Sequence, residues 1–128
     1  MDIKKIQERI DETEYWDVEI LDFQVSFFGD EITIYIYNDE ISCWRIVFSV
    51  CFKVNYETDA YIRSIDHVKT MRGRQLCYFG QDITLSRSEY KGFYKVKMCL
   101  SVLDVEIECK EIKVEKINRN EVKFFWED

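Results

Sequence analysis

The sequence lacks proline entirely and contains only four glycines in 128 residues. Such a chain does not carry a Pro/Gly-rich linker or tail. The phosphate motifs G-x-x-x-x-G-K-[ST] and G-x-G-x-x-G do not occur, and neither does the zinc motif H-E-x-x-H. No apolar run approaches the ~20 residues of a membrane span, and no secretory signal is visible. We therefore expect one cytoplasmic β-rich domain over residues 1–128, without a membrane partner.

Histidine is nearly absent as well, since His67 is the only one. Ser-His-Asp and Cys-His catalytic sets both need a histidine, and no nucleophile motif surrounds this one. Paired carboxylates carry no specific glycosidase signal in a chain with 25 acidic residues. We expect no enzymatic activity, no catalytic residue and no cofactor. The alternative is a ligand-binding β domain, or an enzyme whose site is assembled from scattered residues.

The five cysteines are odd in number and are never spaced Cys-x-x-Cys. Most lie in apolar runs, where a cytosolic cysteine acts as a small hydrophobe. The paired ligand spacing of a zinc site is absent, so we expect the thiols to be reduced and free of metal. The residues available to a zinc site are Cys43, Cys51, Cys99, Cys109 and His67.

Aromatic residues are abundant, at 16% of the chain, and period-2 alternation is the dominant pattern. The stretch Ser42–Val54 organises the sequence, because its large apolar residues share one parity. These residues are Trp44, Ile46, Phe48, Val50, Phe52 and Val54. A strand with such a face is predicted near the middle of an antiparallel sheet. We expect Trp44, Phe48 and Phe52 to be core residues.

A helix and a hairpin are predicted before this strand. Asp2 is expected to cap a helix from about Ile3 to Thr13, whose isoleucines recur at helical spacing. A first strand opens at Tyr15-Trp16-Asp17, carries Phe27 at the end of its apolar face and stops at a turn. The alternating Ile32–Tyr37 stretch completes the hairpin.

The second half of the chain alternates less regularly. Residues 55–73 predict a short helix plus loop, and Asp82–Arg87 predicts a strand. The extended stretch after Gly92 switches parity, which requires a bulge or bend near Lys110-Glu111. The last strand is predicted to carry Val122, Phe124 and Trp126. The predicted fold is α+β: an N-terminal helix on a predominantly antiparallel, meander-like sheet of six to eight strands, which a bulge would curve strongly.

The net charge of −7 is unevenly distributed. Residues 1–40 carry 12 acidic and 3 basic side chains, whereas residues 41–100 carry 5 acidic and 10 basic ones. An acidic protein repels nucleic acid and favours a basic partner, although a merely solvated face is an equal alternative. The basic, aromatic segment His67–Phe79 has the ingredients of a single-stranded RNA surface. Because of the overall charge, we expect no nucleic-acid partner.

Six short stretches, distributed over most of the chain, carry a family resemblance. They are Tyr15-Trp16-Asp17, Phe28-Gly29-Asp30-Glu31, Cys43-Trp44-Arg45-Ile46, Lys53-Val54-Asn55-Tyr56-Glu57-Thr58-Asp59-Ala60, Tyr78-Phe79-Gly80-Gln81-Asp82 and Phe125-Trp126. With them the chain resembles the YxiG-like small bacterial proteins, some of which accompany polymorphic-toxin loci as candidate immunity proteins. The motifs are structural in character, and no functional residue is carried over. The resemblance implies a non-enzymatic protein-binding module that neutralises a cognate toxin.

A binding surface is predicted where carboxylates stand beside tyrosines in irregular chain. Loops on a rigid sheet tend to bind partners, and tyrosine suits an interface that is apolar at one end and wet at the other. An acidic face also speeds association with a basic toxin. These features occur in the Asn38-Asp39-Glu40 turn and in the Tyr56–Asp66 loop. The candidate partner-binding residues are Asp39, Glu40, Tyr56, Glu57, Asp59, Tyr61 and Asp66.

Overall fold

The computed structural model describes residues 2–61, 67–72 and 76–127. Within them lie one α-helix and six strands: α1 (Ile3–Asp11), β1 (Ile20–Ser26), β2 (Glu31–Tyr37), β3 (Ser42–Thr58), β4 (Asp82–Arg87), β5 (Tyr94–Cys99) and β6 (Leu103–Asn118). Every strand pair is antiparallel, and the sheet order is β1-β2-β3-β6-β5-β4. This open antiparallel sheet with its N-terminal helix confirms the predicted α+β class. None of the helices described is long and apolar enough to cross a membrane.

The long strands β3 and β6 form the centre of the sheet. They pair from Ser42–Asn118 at one end to Thr58–Leu103 at the other. β2 pairs with the first half of β3, whereas β5 pairs with the first half of β6. The β1–β2 and β4–β5 hairpins therefore lie on opposite edges of the central pair. The predicted central position of the Ser42–Val54 stretch is confirmed.

An irregularity divides β3 near its middle. The register of its pairing with β6 shifts between Cys51 and Lys53, and Val50 has a left-handed backbone with φ 54°. As a result, the side of β3 that faces the main core passes from Phe48 to Cys51 and then to Val54. A spacing of three residues replaces the strict alternation of a regular strand.

This irregularity corrects the predicted core face of β3. Trp44 and Phe48 are buried as predicted. Phe52 is 45% exposed, however, and its ring packs edge-on against Tyr90 and Phe93, with centroid distances of 4.7 and 4.6 Å. The prediction that Phe52 is a core residue is wrong, because the bulge moves it off the buried face.

β6 shows the parity switch that the sequence predicts. Cys109 and Val114 both face the main core, and Ile112 packs partly buried against it. The switch therefore lies between residues 109 and 112, at the predicted position. An additional turn at residues 100–102, with Ser101 at φ 67°, separates β6 from β5.

The helix α1 packs on the sheet and covers its β4 edge. Asp2 caps α1 as predicted, since its Oδ1 accepts a hydrogen bond from the Lys5 N–H (3.0 Å). The Gln7 side chain donates to the Ile83 carbonyl (2.9 Å) and accepts from the Leu85 N–H (2.8 Å). These bonds satisfy backbone groups of an edge strand that would otherwise be open to pairing.

The first strand begins at Ile20 rather than at Tyr15. The segment between them forms only isolated bridges, to Gly80 and Phe79. Tyr15 is buried instead, and its hydroxyl accepts a hydrogen bond from the Ile83 N–H (3.0 Å). The residues before Ile20 thus run along the β4 edge, which α1 also covers, and join it to the start of β1.

The prediction for residues 55–73 is wrong at its start. β3 continues to Thr58, because residues 55–58 pair with the beginning of β6. Val68–Thr70 forms a 3₁₀ turn. The rest of that prediction falls partly on residues 62–66 and 73–75, which lie outside the described residues.

The last predicted strand is not a strand. After Asn118 the chain forms a 3₁₀ turn and continues irregularly. Phe124 is buried on the face of the sheet opposite α1, against Tyr35 at a centroid distance of 5.1 Å. The Trp126 indole donates a hydrogen bond to the Leu21 carbonyl (2.7 Å). The alternating aromatics cover the sheet's face and do not pair with an edge.

Of the five cysteines, Cys43 and Cys109 are the two buried ones. Burial raises the pKa of Cys43, and a hydrogen bond with Cys51, together with burial, raises the pKa of Cys109. Because the thiolate is the reactive form, we expect these two to be the last to react with Ellman's reagent in the native protein. Labelled peptides identified by mass spectrometry over time check this. Rapid native labelling of Cys43 or Cys109 would contradict the assigned burial.

Candidate partner-binding surfaces

The two parts of the predicted binding face lie at opposite ends of β3. The Asn38-Asp39-Glu40 turn leads into the strand, whereas Tyr56–Tyr61 comprises the last three residues of β3 and the three that follow. Glu57, Asp59 and Tyr61 line one surface depression, and Tyr56 lines a neighbouring one beside Glu57. Asp39 and Glu40 lie in the turn before β3 and line neither depression. Asp66 lies outside the described residues.

Asp39 acts as the organising residue of its turn. Its Oδ1 accepts hydrogen bonds from the Ser42 hydroxyl and N–H (both 2.7 Å) and from the Ile41 N–H (2.9 Å). The Ser42 hydroxyl makes the largest contribution to holding the pKa of Asp39 below its usual value. Glu40 beside it is exposed. This turn is shaped by Asp39 in the manner of an Asx turn.

Four carboxylates, which we call the acidic end, lie where β3 ends and β6 begins: Glu57, Asp59, Asp82 and Asp104. Glu57 and Asp104 are directly opposite each other in the β3–β6 ladder. With Asp59 and Tyr61 they line a surface depression of about 360 Å³. Asp82 lines an adjoining depression of about 510 Å³, which also includes Lys97. In the part of the chain that the structure describes, none of the four carboxylates forms an ion pair.

The repulsion within the acidic end is a local cost to the fold. Like charges directly opposite in an antiparallel pair are destabilising, and the surrounding solvent screens them only in part. Tyr56 and Tyr61 are exposed beside these carboxylates. The acidic end therefore combines negative charge with amphipathic aromatic surface.

The β1–β2 connection presents a second exposed feature, Phe27 and Phe28, which we call the Phe27–Phe28 tip. Their relative exposures are 73% and 112%, and both have left-handed backbones, with φ 54° and 59°. This conformation costs roughly 1–2 kcal/mol for a residue with a Cβ. Sequence alternation placed Phe27 on the strand face and missed the tip. The sequence signal that could have predicted the tip is the pair of adjacent aromatic residues immediately before the Gly29-Asp30 turn.

An aromatic cluster of Phe52, Tyr90 and Phe93 packs the β4–β5 hairpin against β3. Phe52 contacts the two aromatic rings of that hairpin, as described above. Next to it, the buried carboxylate of Glu108 accepts a hydrogen bond from the Ser88 hydroxyl (2.7 Å) and lies 3.9 Å from the Lys53 ammonium. These contacts stabilise the bulged region, so this cluster is structural.

The enzyme or ligand-binding alternative predicts a deep pocket lined by His67, cysteines and carboxylates. A mainly apolar depression of about 220 Å³ lies between β1 and the far end of β3. Among the described residues that line it, Asp22 is the one member of those residue types, and burial raises the pKa of that carboxyl. Among the described residues, no group of three or more His, Cys, Asp or Glu side chains is arranged to hold a metal ion.

Comparison with known proteins gives a family and a fold. The family model described as Immunity protein PIM7 matches residues 2–116. No curated protein is significantly similar to the chain. The crystal structure of an uncharacterized protein from Neisseria gonorrhoeae is similar in fold, with a TM-score of 0.50 and 15% identity, over 79% of this chain and 92% of that chain. The family match supports the immunity part of the resemblance, but it does not specifically support a YxiG-like assignment.

Proposed function

The chain belongs to the family of immunity protein PIM7, and from this premise we propose that it neutralises a cognate toxin by binding it. The observation that carries the proposal is the family match, which spans residues 2–116 of 128. The proposed mode of action is a non-enzymatic protein–protein complex in the cytoplasm. It requires no cofactor and no metal.

The acidic end is the proposed toxin-binding surface. Cationic side chains of a basic partner would relieve the repulsion between Glu57 and Asp104, so complex formation gains energy that the free protein lacks. Tyr56 and Tyr61 supply contact area at low entropic cost. A standard interface covers about 800 Å² per partner, a patch roughly 30 Å across. Asp39 is left out of the proposed surface, because its carboxylate already accepts three hydrogen bonds within its own turn.

Coexpression tests the proposal. The cognate toxin domain is produced in a bacterial host with and without this chain, and growth is measured. We expect growth only when the chain is present, and a complex that survives size-exclusion chromatography. Growth arrest that persists with abundant, folded chain present would refute the proposal.

Charge neutralisation tests the acidic end. We expect Glu57→Gln/Asp59→Asn to slow association with the toxin about 3- to 10-fold at low ionic strength and to flatten its salt dependence, because long-range attraction is reduced. Stopped-flow fluorescence measures both. The control Glu8→Gln/Glu14→Gln removes the same charge from exposed positions near α1. Equal slowing by both variants would show that only net charge matters and would rule out this surface.

A further inference from the structure

We propose that the Phe27–Phe28 tip is a hydrophobic anchor that inserts into an apolar pocket, rimmed by basic residues, on the toxin. This inference rests on the proposed function and names a contact surface for it. The tip adjoins the middle of β3, where Glu31 pairs with Ser49 and the Cys51 N–H donates to the Asp30 carbonyl.

The exposure of the tip is unfavourable in the free protein. Phe28 is fully exposed at 112% and Phe27 is 73% exposed. A buried phenylalanine removes 150–250 Å² of surface from water, which neither side chain achieves here. Single exposed apolar residues are ordinary, but two adjacent aromatics at a hairpin tip form the kind of patch that marks an interaction site.

The backbone of the tip disfavours phenylalanine as well. Left-handed positions in a hairpin connection favour Asn, Asp and Gly, and both residues occupy such positions. Phenylalanine is thus unfavourable at both positions, because its ring is exposed to water and its backbone is left-handed. Such strained residues are found at ligand clamps, where the cost is recovered on binding.

The tip is held in place rather than loosely extended. The Cys51 N–H donates a hydrogen bond to the Asp30 carbonyl (3.0 Å), which fastens the connection to the bulged part of β3. From Cys51 to Glu57 is about 20 Å of extended strand, within the span of one standard interface. The tip and the acidic end can therefore contact one toxin molecule together.

The charge around the tip indicates that the protein it binds is basic. Asp30 and Glu31 follow the tip directly, and within the described residues neither forms an ion pair. A second copy of this chain, which carries a net charge of −7, would bring these acids together. An anionic membrane would repel them too. A toxin pocket rimmed by Lys or Arg complements both the rings and the acids.

The test is the double substitution Phe27→Asn/Phe28→Gly, which installs the residues that this backbone prefers. We expect Tm to be unchanged or higher, because the strain is removed. We also expect Kd for the purified toxin domain to rise about 100-fold or more, because two anchor rings are lost. The matched control is Ile41→Asn, at a 71% exposed apolar residue of the β2–β3 turn, which should bind like wild type. Phe28→Gly alone repeats the test if the double variant folds poorly.

The outcomes separate this inference from the function on which it rests. Wild type that fails to bind the toxin overturns the proposed function and the anchor with it. Wild type that binds, with Phe27→Asn/Phe28→Gly binding within threefold of it, overturns the anchor alone. Sedimentation that shows a wild-type dimer lost in the variant, or tip-dependent binding to phosphatidylglycerol vesicles, assigns the tip to another occupant and also overturns it.

Discussion

Replacing Phe48 by alanine is expected to lower the free energy of unfolding by about 3–5 kcal/mol. Phe48 is fully buried on β3, between Ile32 of β2 and Ile112 of β6. Because both neighbouring strands are fixed by their own ladders, the cavity left by the ring cannot collapse. The corresponding fall in Tm is roughly 10–20 °C for a domain of this size. Urea and thermal unfolding measure both quantities.

The matched control is Phe52→Ala on the same strand. Its ring is 45% exposed and packs edge-on against Tyr90 and Phe93 of the β4–β5 hairpin. We expect less than half the destabilisation of Phe48→Ala, because less apolar surface returns to water. Equal losses would contradict the position of the bulge.

Replacing Gly80 by alanine is expected to destabilise the protein by about 3 kcal/mol. A Cβ at this position would lie 2.3 Å from the Tyr15 carbonyl oxygen. The two backbones cannot separate freely, since Gly80 donates to the Val18 carbonyl (2.9 Å) and accepts from the Asp17 N–H (2.7 Å). The clash therefore falls on backbone atoms that no rotamer change can move.

Gly92→Ala provides the comparison for this substitution. No atom lies within 4 Å of a Cβ at Gly92, so the cost there comes from its left-handed φ of 86° alone, about 1 kcal/mol. Thermal unfolding should rank Gly80→Ala clearly below Gly92→Ala. The reverse order would show that the link between residues 15–18 and Gly80 contributes little to stability.

Local alternation predicted the fold wherever a strand is regular. The isoleucines of β2 and the bounds of β4 follow from period-2 patterns alone. Phe52 and Val50 were misassigned because the bulge depends on how β3 pairs with β6, which no local pattern contains. Phe124 was misassigned for a related reason: alternating aromatics pack equally well on the face of a sheet as along its edge.

The candidate site was predictable only where it is contiguous in sequence. Glu57, Asp59 and Tyr61 are near neighbours in the chain, so their carboxylates and rings were recognised together. Asp104 joins them only through the β3–β6 register, which the sequence does not display. Asp39 was predicted to share their face because both stretches place carboxylates beside tyrosines in irregular chain. In the structure β3 continues through Tyr56 to Thr58, so the start of the second stretch is regular strand.

The central claim, that the chain neutralises a toxin by binding rather than by catalysis, is tested most directly by a titration. Purified chain is added stepwise to the purified toxin domain, and residual toxin activity is measured at each molar ratio. Tight, nanomolar binding predicts that activity falls linearly and reaches its minimum at about equal molar amounts. Full inactivation at a small fraction of that ratio would indicate an enzyme instead, and undiminished activity at a large excess would show that the chain does not neutralise this toxin.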